Sequence, residues 1–300
     1  MTLRAAAFLL AAVLLGGACT SETSRDGVSA EAMAEGHEGD TPVATGAARA
    51  PAAPVEDEVV TYGQTDDGTP ITGYLARPSN PDSVLRAHGR TPGTDALPGL
   101  VVIHEWWGLN DNVRAATRRL AGEGYRALAV DLYGDSTAQT PQQAQSLMQA
   151  ATGDPGQIAA NLRTAHQYLQ TEGGAARVGV MGWCFGGGMT FRAVADRPTA
   201  FDAAVAYYGT PEAMTAPVLE QLTTPVLAHF GREDQVVPPK QVEAFRSRLD
   251  GRAVEIQIYM YDAGHAFANP SGESYDAEAA ERAWGRTTEF LRSHLYSASD

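Results

Sequence analysis

Chemistry in this chain gathers first around Gly182-Trp183-Cys184-Phe185-Gly186, which follows directly on the apolar run Val178–Met181 and opens a helical stretch. A nucleophile on a sharp strand-to-helix turn needs this pattern, here with cysteine in the reactive position. The turn strains the backbone, and flanking side chains would clash there, so glycine is required two residues before and two after the nucleophile. Gly187 and Gly188 extend the permissive run and would let the helix pack tightly on a sheet. A free cysteine is by default a small buried hydrophobe. Its place at a helix N-terminus argues otherwise, since the helix dipole favours the thiolate, the reactive form.

A thiolate of this kind needs a base, and the base needs a carboxylate to orient it. On such a fold they follow the nucleophile as acid then histidine, each just past the C-terminal end of a strand. Gly231-Arg232-Glu233-Asp234 follows the run Val226–Phe230, which makes Asp234 the acid and Glu233 the fallback. Asp262-Ala263-Gly264-His265 follows Val254–Tyr261, which makes His265 the base. His229 falls in a strand, His166 and His294 in helices, and His37 and His88 in polar connecting segments, where ordinary structural or solvated roles are expected. The stretch His104-Glu105-Trp106-Trp107-Gly108 ends the run Gly99–His104 and lies where one oxyanion-hole N–H is usually supplied, the other coming from the residue after the nucleophile. The backbone N–H groups of Trp106 and Phe185 are therefore the expected oxyanion hole. A zinc helix is excluded at this stretch, because H-E-x-x-H would need histidine where Gly108 stands. Trp107 and its neighbour are either core or an apolar substrate wall, with Trp183 and Tyr133 beside it.

The elements that must position these residues alternate. Val59–Tyr62 and Ile71–Leu75 read as an opening hairpin, and Pro78–Gly99 as a loop. Gly99–His104, Ala127–Leu132, Val178–Trp183, Ala203–Tyr208, Val226–Phe230 and Val254–Tyr261 are short apolar or β-branched runs of the kind found in buried parallel strands. Helical candidates lie at Asn112–Gly122, Pro141–Ala151, Pro155–Gln170, Met189–Ala195, Pro239–Leu249 and Ala277–Tyr296. This order predicts one doubly wound α/β domain over 57–296 with a mostly parallel sheet, followed by a short tail at 297–300.

Ahead of the domain, Arg4 precedes an apolar run from Ala5 to Leu15, and Gly16, Gly17 and Ala18 lead to Cys19. That is the layout of a signal peptide over 1–18. Small residues ending at a cysteine resemble a bacterial lipoprotein box, which would make Cys19 the lipidated first residue of an exported, envelope-anchored protein. Gly16 stands where that box usually carries leucine, and a simple cleaved signal or an uncleaved anchor are the other readings. The stretch 19–56 is rich in Ala, Gly, Pro, Ser, Thr and acids without an apolar period, which predicts a disordered tether. A net charge of -14, with Lys240 the only lysine, argues against a nucleic-acid partner. Membrane contact is expected through the N-terminal anchor alone.

Taken together, His104-Glu105-Trp106-Trp107-Gly108, Asp131-Leu132-Tyr133-Gly134, Gly182-Trp183-Cys184-Phe185-Gly186-Gly187, Tyr207-Tyr208-Gly209, the loop at Asp234 and Ala263-Gly264-His265-Ala266-Phe267-Ala268 resemble the dienelactone hydrolase family over nearly the whole domain. The resemblance implies an α/β-hydrolase with a Cys-His-Asp triad of Cys184, His265 and Asp234, acting on an ester or lactone without cofactor or metal. It also implies a role for Glu105, which would hold the resting thiol and shift on substrate binding to release the thiolate. One departure bears on substrate. The dienelactone-opening enzymes hold a substrate carboxylate with arginines, one of them four residues after the catalytic histidine, where this chain has Asn269; no arginine lies between Asp131 and Leu162 either. Loss of a charged bidentate clamp implies a neutral, more apolar substrate. Two other uses of the same fold stay open at this point, a surface-tethered binding module and a redox-responsive thiol.

Overall fold

The structure, a computed structural model, describes residues 33, 37, 39, 40 and 49–297. The expected signal segment 1–18, Cys19, most of the stretch 19–56 and the last residues of the tail lie outside the described residues.

Eight strands form one sheet. β1 (Val55–Gln64) and β2 (Pro70–Pro78) pair antiparallel, as the opening hairpin predicts. β3 (Gly99–Ile103), β4 (Arg126–Val130), β5 (Val178–Trp183), β6 (Ala203–Tyr207), β7 (Val226–Gly231) and β8 (Ile256–Tyr261) run parallel to one another. The order across the sheet is β1-β2-β4-β3-β5-β6-β7-β8, with β2 antiparallel to β4. Every residue of β3, β5, β6 and β7 is buried, which is why these strands read as unbroken apolar runs, while the edge strand β8 is only partly covered.

Helices cover the sheet on both faces. α1 (Pro81–Ala87), α2 (Asp111–Gly122), α3 (Pro141–Thr152), α4 (Pro155–Thr171), α5 (Phe185–Asp196), α6 (Ala216–Gln221), α7 (Pro239–Leu249) and α8 (Ala277–Leu295) follow in chain order. α2 and α8 share a layer, where the Arg119 guanidinium lies 3.8 Å over the Trp284 ring. α5 and α7 share the other, where Phe191 meets Phe245.

Two helices correct the reading from sequence. α1 falls inside the stretch expected to be a loop, and α6 was not expected. Each buries a single side chain, Leu85 or Leu219, so neither carries an apolar period. α1 forms because Asn80 caps it through Ser83 N–H and Pro81 starts it. The packed chain also begins earlier than residue 57. β1 starts at Val55, and a Cβ on Gly122 would lie 2.8 Å from the backbone nitrogen of Ala52.

The register aligns the strand ends. Ile103 pairs with both Val130 and Gly182, Trp183 with Tyr207, Tyr207 with His229, and Gly231 with Tyr261. The loops carrying Glu105, Cys184, Tyr208, Asp234 and His265 therefore leave the sheet along one rim.

Candidate active site

Cys184 stands between β5 and α5 with φ 52° and ψ -115°, a backbone conformation that L residues rarely adopt. Its N–H donates to the Tyr207 carbonyl at 3.0 Å, and its carbonyl accepts from Gly188 N–H at 3.0 Å, so both neighbours of the strained turn hold it. The flanking glycines follow from the packing. A Cβ on Gly182 would come within 2.5 Å of Gly186 backbone, and one on Gly186 within 2.3 Å of the Ile103 carbonyl. Gly187 is equally confined, 2.4 Å from the Tyr207 carbonyl, whereas Gly188 has only ordinary contacts.

Asp234 and His265 reach the sulfur in series. Asp234 Oδ1 accepts from Val236 and Val237 N–H, both at 2.8 Å, and Oδ2 accepts from His265 Nδ1 at 2.8 Å. His265 Nε2 then faces Cys184 Sγ at 3.3 Å. All three side chains are buried. With Nδ1–H committed to Asp234, Nε2 presents a lone pair to the thiol.

The electrostatics correct one expectation. Burial pushes the Cys184 thiol well above its ordinary range, and the nearby Glu105, Asp234 and Asp40 push the same way, against the pull of the Phe185 N–H. The resting group is thus the neutral thiol; desolvation outweighs the helix N-terminus. Glu105 is also buried, and burial followed by the charge of Asp40 raises its carboxyl to about 8. Its hydrogen-bond donor is Tyr208 OH at 3.3 Å. Glu105 acts on the thiol electrostatically here: its ionised form opposes a thiolate at Cys184.

The other expected site residues divide. Phe185, whose N–H reaches the sulfur, and Trp106, stacked on His37, are both buried. Trp183 lines a cavity with Glu105, Tyr207, Tyr208, Asn269 and Trp284. Tyr133 packs its ring on His104 and Phe185, and its hydroxyl has no partner among the described residues. Trp107 sits edge-on to Trp106 inside the core. Asn269 accepts from Asn112 Nδ2 and from Ser271 N–H, each at 3.1 Å. A second, apolar cleft touches Cys184 directly and is formed by Met148, Phe185, Met189, Val236 and Val237 together with Met33. His104 bridges the strand ends, its Nε2 accepting from Leu132 N–H at 3.2 Å, and so serves the fold.

One further residue lies in the site although its sequence context does not announce it. His37, expected in a polar connecting segment, is buried in the site, with Nε2 3.3 Å from Cys184 Sγ and Nδ1 2.6 Å from Asp40 Oδ2. Its ring stacks on Trp106 at 4.8 Å and meets His265 edge-on at 5.2 Å. Met33 is also buried and lines the cleft at Cys184. At these described positions the stretch read as a tether covers the sulfur. The only sequence signal was the His-x-x-Asp spacing within a stretch of otherwise featureless composition.

Comparison with known proteins gives the family and the fold. Residues 85–295 match the model of the family described as "Dienelactone hydrolase family". The chain is 32% identical over 262 residues to the "Putative carboxymethylenebutenolidase" of Escherichia coli (strain K12), covering 82% of this chain and 94% of that one. It is 30% identical over 237 residues to "Protein usf" of Aquifex pyrophilus, covering 76% and 96%. Among solved structures, a dienelactone hydrolase-like promiscuous phosphotriesterase from metagenomic libraries superposes with a TM-score of 0.67 at 25% identity, over 80% of this chain and 98% of that one.

Proposed function

Because the chain belongs to the dienelactone hydrolase family, hydrolases that act on esters or lactones, we propose that it cleaves a neutral, largely apolar ester or lactone with Cys184 as nucleophile, His265 as base and Asp234 orienting the base. The observation behind this reading is the unbroken run of contacts from Asp234 Oδ2 through the His265 ring to Sγ, at 2.8 and 3.3 Å.

In this mechanism His265 Nε2 takes the thiol proton, and Sγ attacks the acyl carbon. Phe185 and Trp106 N–H groups receive the developing oxyanion. The imidazolium gives its proton to the leaving alcohol oxygen, leaving a thioester; water, deprotonated by His265, then releases the acid and restores the thiol. Glu105, neutral at rest, is close enough to respond as charge appears on sulfur. The segment bearing Met33 and His37 has to lift before an acyl group can approach.

One feature supports the apolar, uncharged preference: Asn269 is engaged by Asn112 and Ser271 rather than offering a cation. Turnover of aryl esters and lactones of varied charge by the purified chain tests both halves. Cys184→Ala should abolish turnover, and a near-normal rate in that variant would refute the nucleophile. Equal rates on anionic and neutral lactones would refute the preference.

The same proposal extends to the flanks. Residues 1–18 would serve as an export signal, Cys19 as a lipidated anchor, the chain after it as a linker to one hydrolase domain that takes in β1 from Val55, and 297–300 as a tail. No helix among the described residues is long and apolar enough to cross a membrane. Fractionation tests the anchor: the wild-type chain should sediment with membranes, and Cys19→Ala should release it.

A further inference from the structure

We propose that Cys184, His265 and His37 together form a binding site for a thiophilic divalent cation of the zinc type, which would clasp the N-terminal segment onto the catalytic pair. The three candidate ligand atoms, Sγ and two Nε2, lie within 4.8 Å of one another, with each nitrogen 3.3 Å from sulfur. A tetrahedral ion with metal–sulfur and metal–nitrogen bonds of about 2.3 and 2.0 Å holds such ligands roughly 3.5 Å apart. The sulfur–nitrogen spacings lie within a few tenths of an ångström of that geometry, and the two nitrogens, within 4.8 Å of each other, would draw in around the ion.

The outer contacts point the same way. Both rings engage a carboxylate through Nδ1, His37 with Asp40 at 2.6 Å and His265 with Asp234 at 2.8 Å. Imidazoles that bind metal are usually held in this manner, because the carboxylate fixes the tautomer that turns an Nε2 lone pair to the ion. Two such lone pairs and one thiol then converge, and the single S–H proton satisfies one nitrogen only. The second nitrogen is left facing sulfur lone pairs. A cation in the centre resolves this conflict: it bonds all three atoms, and the thiol proton leaves to solvent, one per ion bound. Sulfur with two imidazoles suits zinc-like ions, whereas magnesium and calcium require oxygen donors. No local sequence motif announces the site, since its ligands stand 147 and 81 residues apart in pairs.

Binding goes beyond the hydrolytic reading and does not depend on it. An ion here would take the nucleophile and the base and hold the cover shut, so an occupied chain would not hydrolyse. Titration of the metal-free full-length chain with Co²⁺, followed by near-ultraviolet thiolate-to-cobalt absorption, tests the site without any substrate. One saturating ion per chain is expected, displaced by Zn²⁺. Cys184→Ser, and wild-type protein alkylated at Cys184, should show no thiolate band. His37→Gln should weaken binding by more than about 100-fold, and Asp40→Asn by roughly 10- to 100-fold. Circular dichroism establishes that each variant is folded, and the alkylated wild type serves if the serine variant is not. Absence of the thiolate band in the parent, or unchanged affinity in folded His37→Gln, would overturn the three-ligand site.

Discussion

His265 and His37 approach one sulfur with the same ring atom at the same distance, yet the two are held differently. His265 sits on the loop after β8, and its carboxylate partner is fixed by two backbone N–H groups of the loop after β7. That arrangement is wired into the sheet rim. His37 is held by Asp40, three residues away in the same segment, and the remaining Asp40 oxygen, Oδ1, has no partner among the described residues. Asp40 meets the domain at Asn269 Nδ2, 3.4 Å away. Identical chemistry is thus presented once by a preorganised scaffold and once by a strap that depends on its own local pairing. Catalysis rewards the first kind of support, because a base displaced by an ångström loses much of its effect. Reversible covering needs only the second.

Disabling each carboxylate in turn should give the largest separation between the two dyads. Asp234→Asn leaves the shape intact but favours the wrong tautomer of His265, and kcat on an aryl ester should fall by roughly 10⁴-fold. Asp40→Asn should alter kcat by less than about tenfold, since the proposed mechanism runs no proton transfer through it. Comparable losses from both substitutions would mean that the two histidines share the catalytic work, and the distinction drawn above would collapse.

The contrast also separates what the sequence reveals from what it hides. Cys184 and Asp234 could be picked out because each follows a strand buried on both faces, which writes itself as an apolar run, and His265 because it follows the β-branched and aromatic run of the edge strand β8. The elbow glycines were legible for a steric reason that the packing around Gly182 and Gly186 bears out. His37 was not legible. It belongs to no strand or periodic helix, and its burial arises from contacts with Trp106 and Cys184, remote in sequence. The thiol's protonation state escaped for a related reason: dipole and motif are local, whereas desolvation depends on everything packed around the sulfur.

Glu105 belongs to the fixed side of the site, and it should leave a thermodynamic signature. Its carboxyl is raised from 4.5 to about 8 by burial first and Asp40 second. Below 4.5 it is protonated folded or unfolded and has no effect. Between 4.5 and 8 the unfolded chain releases the proton while the folded chain keeps it, so stability falls as pH rises through this window. The full loss is on the order of 5 kcal/mol. Glu105→Gln should remove that slope in denaturant unfolding measured across the window. A slope that survives the substitution would place its origin in another group.

Two glycines test the same contrast sterically. A Cβ on Gly186 would meet the Ile103 and His104 carbonyls at 2.3 and 2.6 Å, and backbone at the sheet rim has little room to yield. Gly186→Ala should therefore cost about 1–3 kcal/mol or more in unfolding free energy. A Cβ on Gly272 would instead meet Asp40 Oδ1 at 2.6 Å, the side chain of the strap. Gly272→Ala should change stability by less than about 0.5 kcal/mol while displacing Asp40. Faster alkylation of Cys184 by iodoacetamide is the expected readout. An unaltered alkylation rate would mean that the strap does not control access to the sulfur.

The finest test joins the two regions through charge. Asp40 on the strap is one of the groups raising the Glu105 carboxyl on the rim, second only to burial. Neutralising it in Asp40→Asn removes that repulsion, and any lifting of the strap lets water reach Glu105. Both effects favour the carboxylate, so the Glu105 titration, followed by infrared difference spectroscopy with Glu105→Gln as the blank, should move down from about 8. The stability slope should then end at a lower pH in this variant, since a smaller gap between folded and unfolded titration narrows the window. If the titration stays where it is, Asp40 and Glu105 do not sense each other in solution, and the strap spends too little time in the site to influence its protonation.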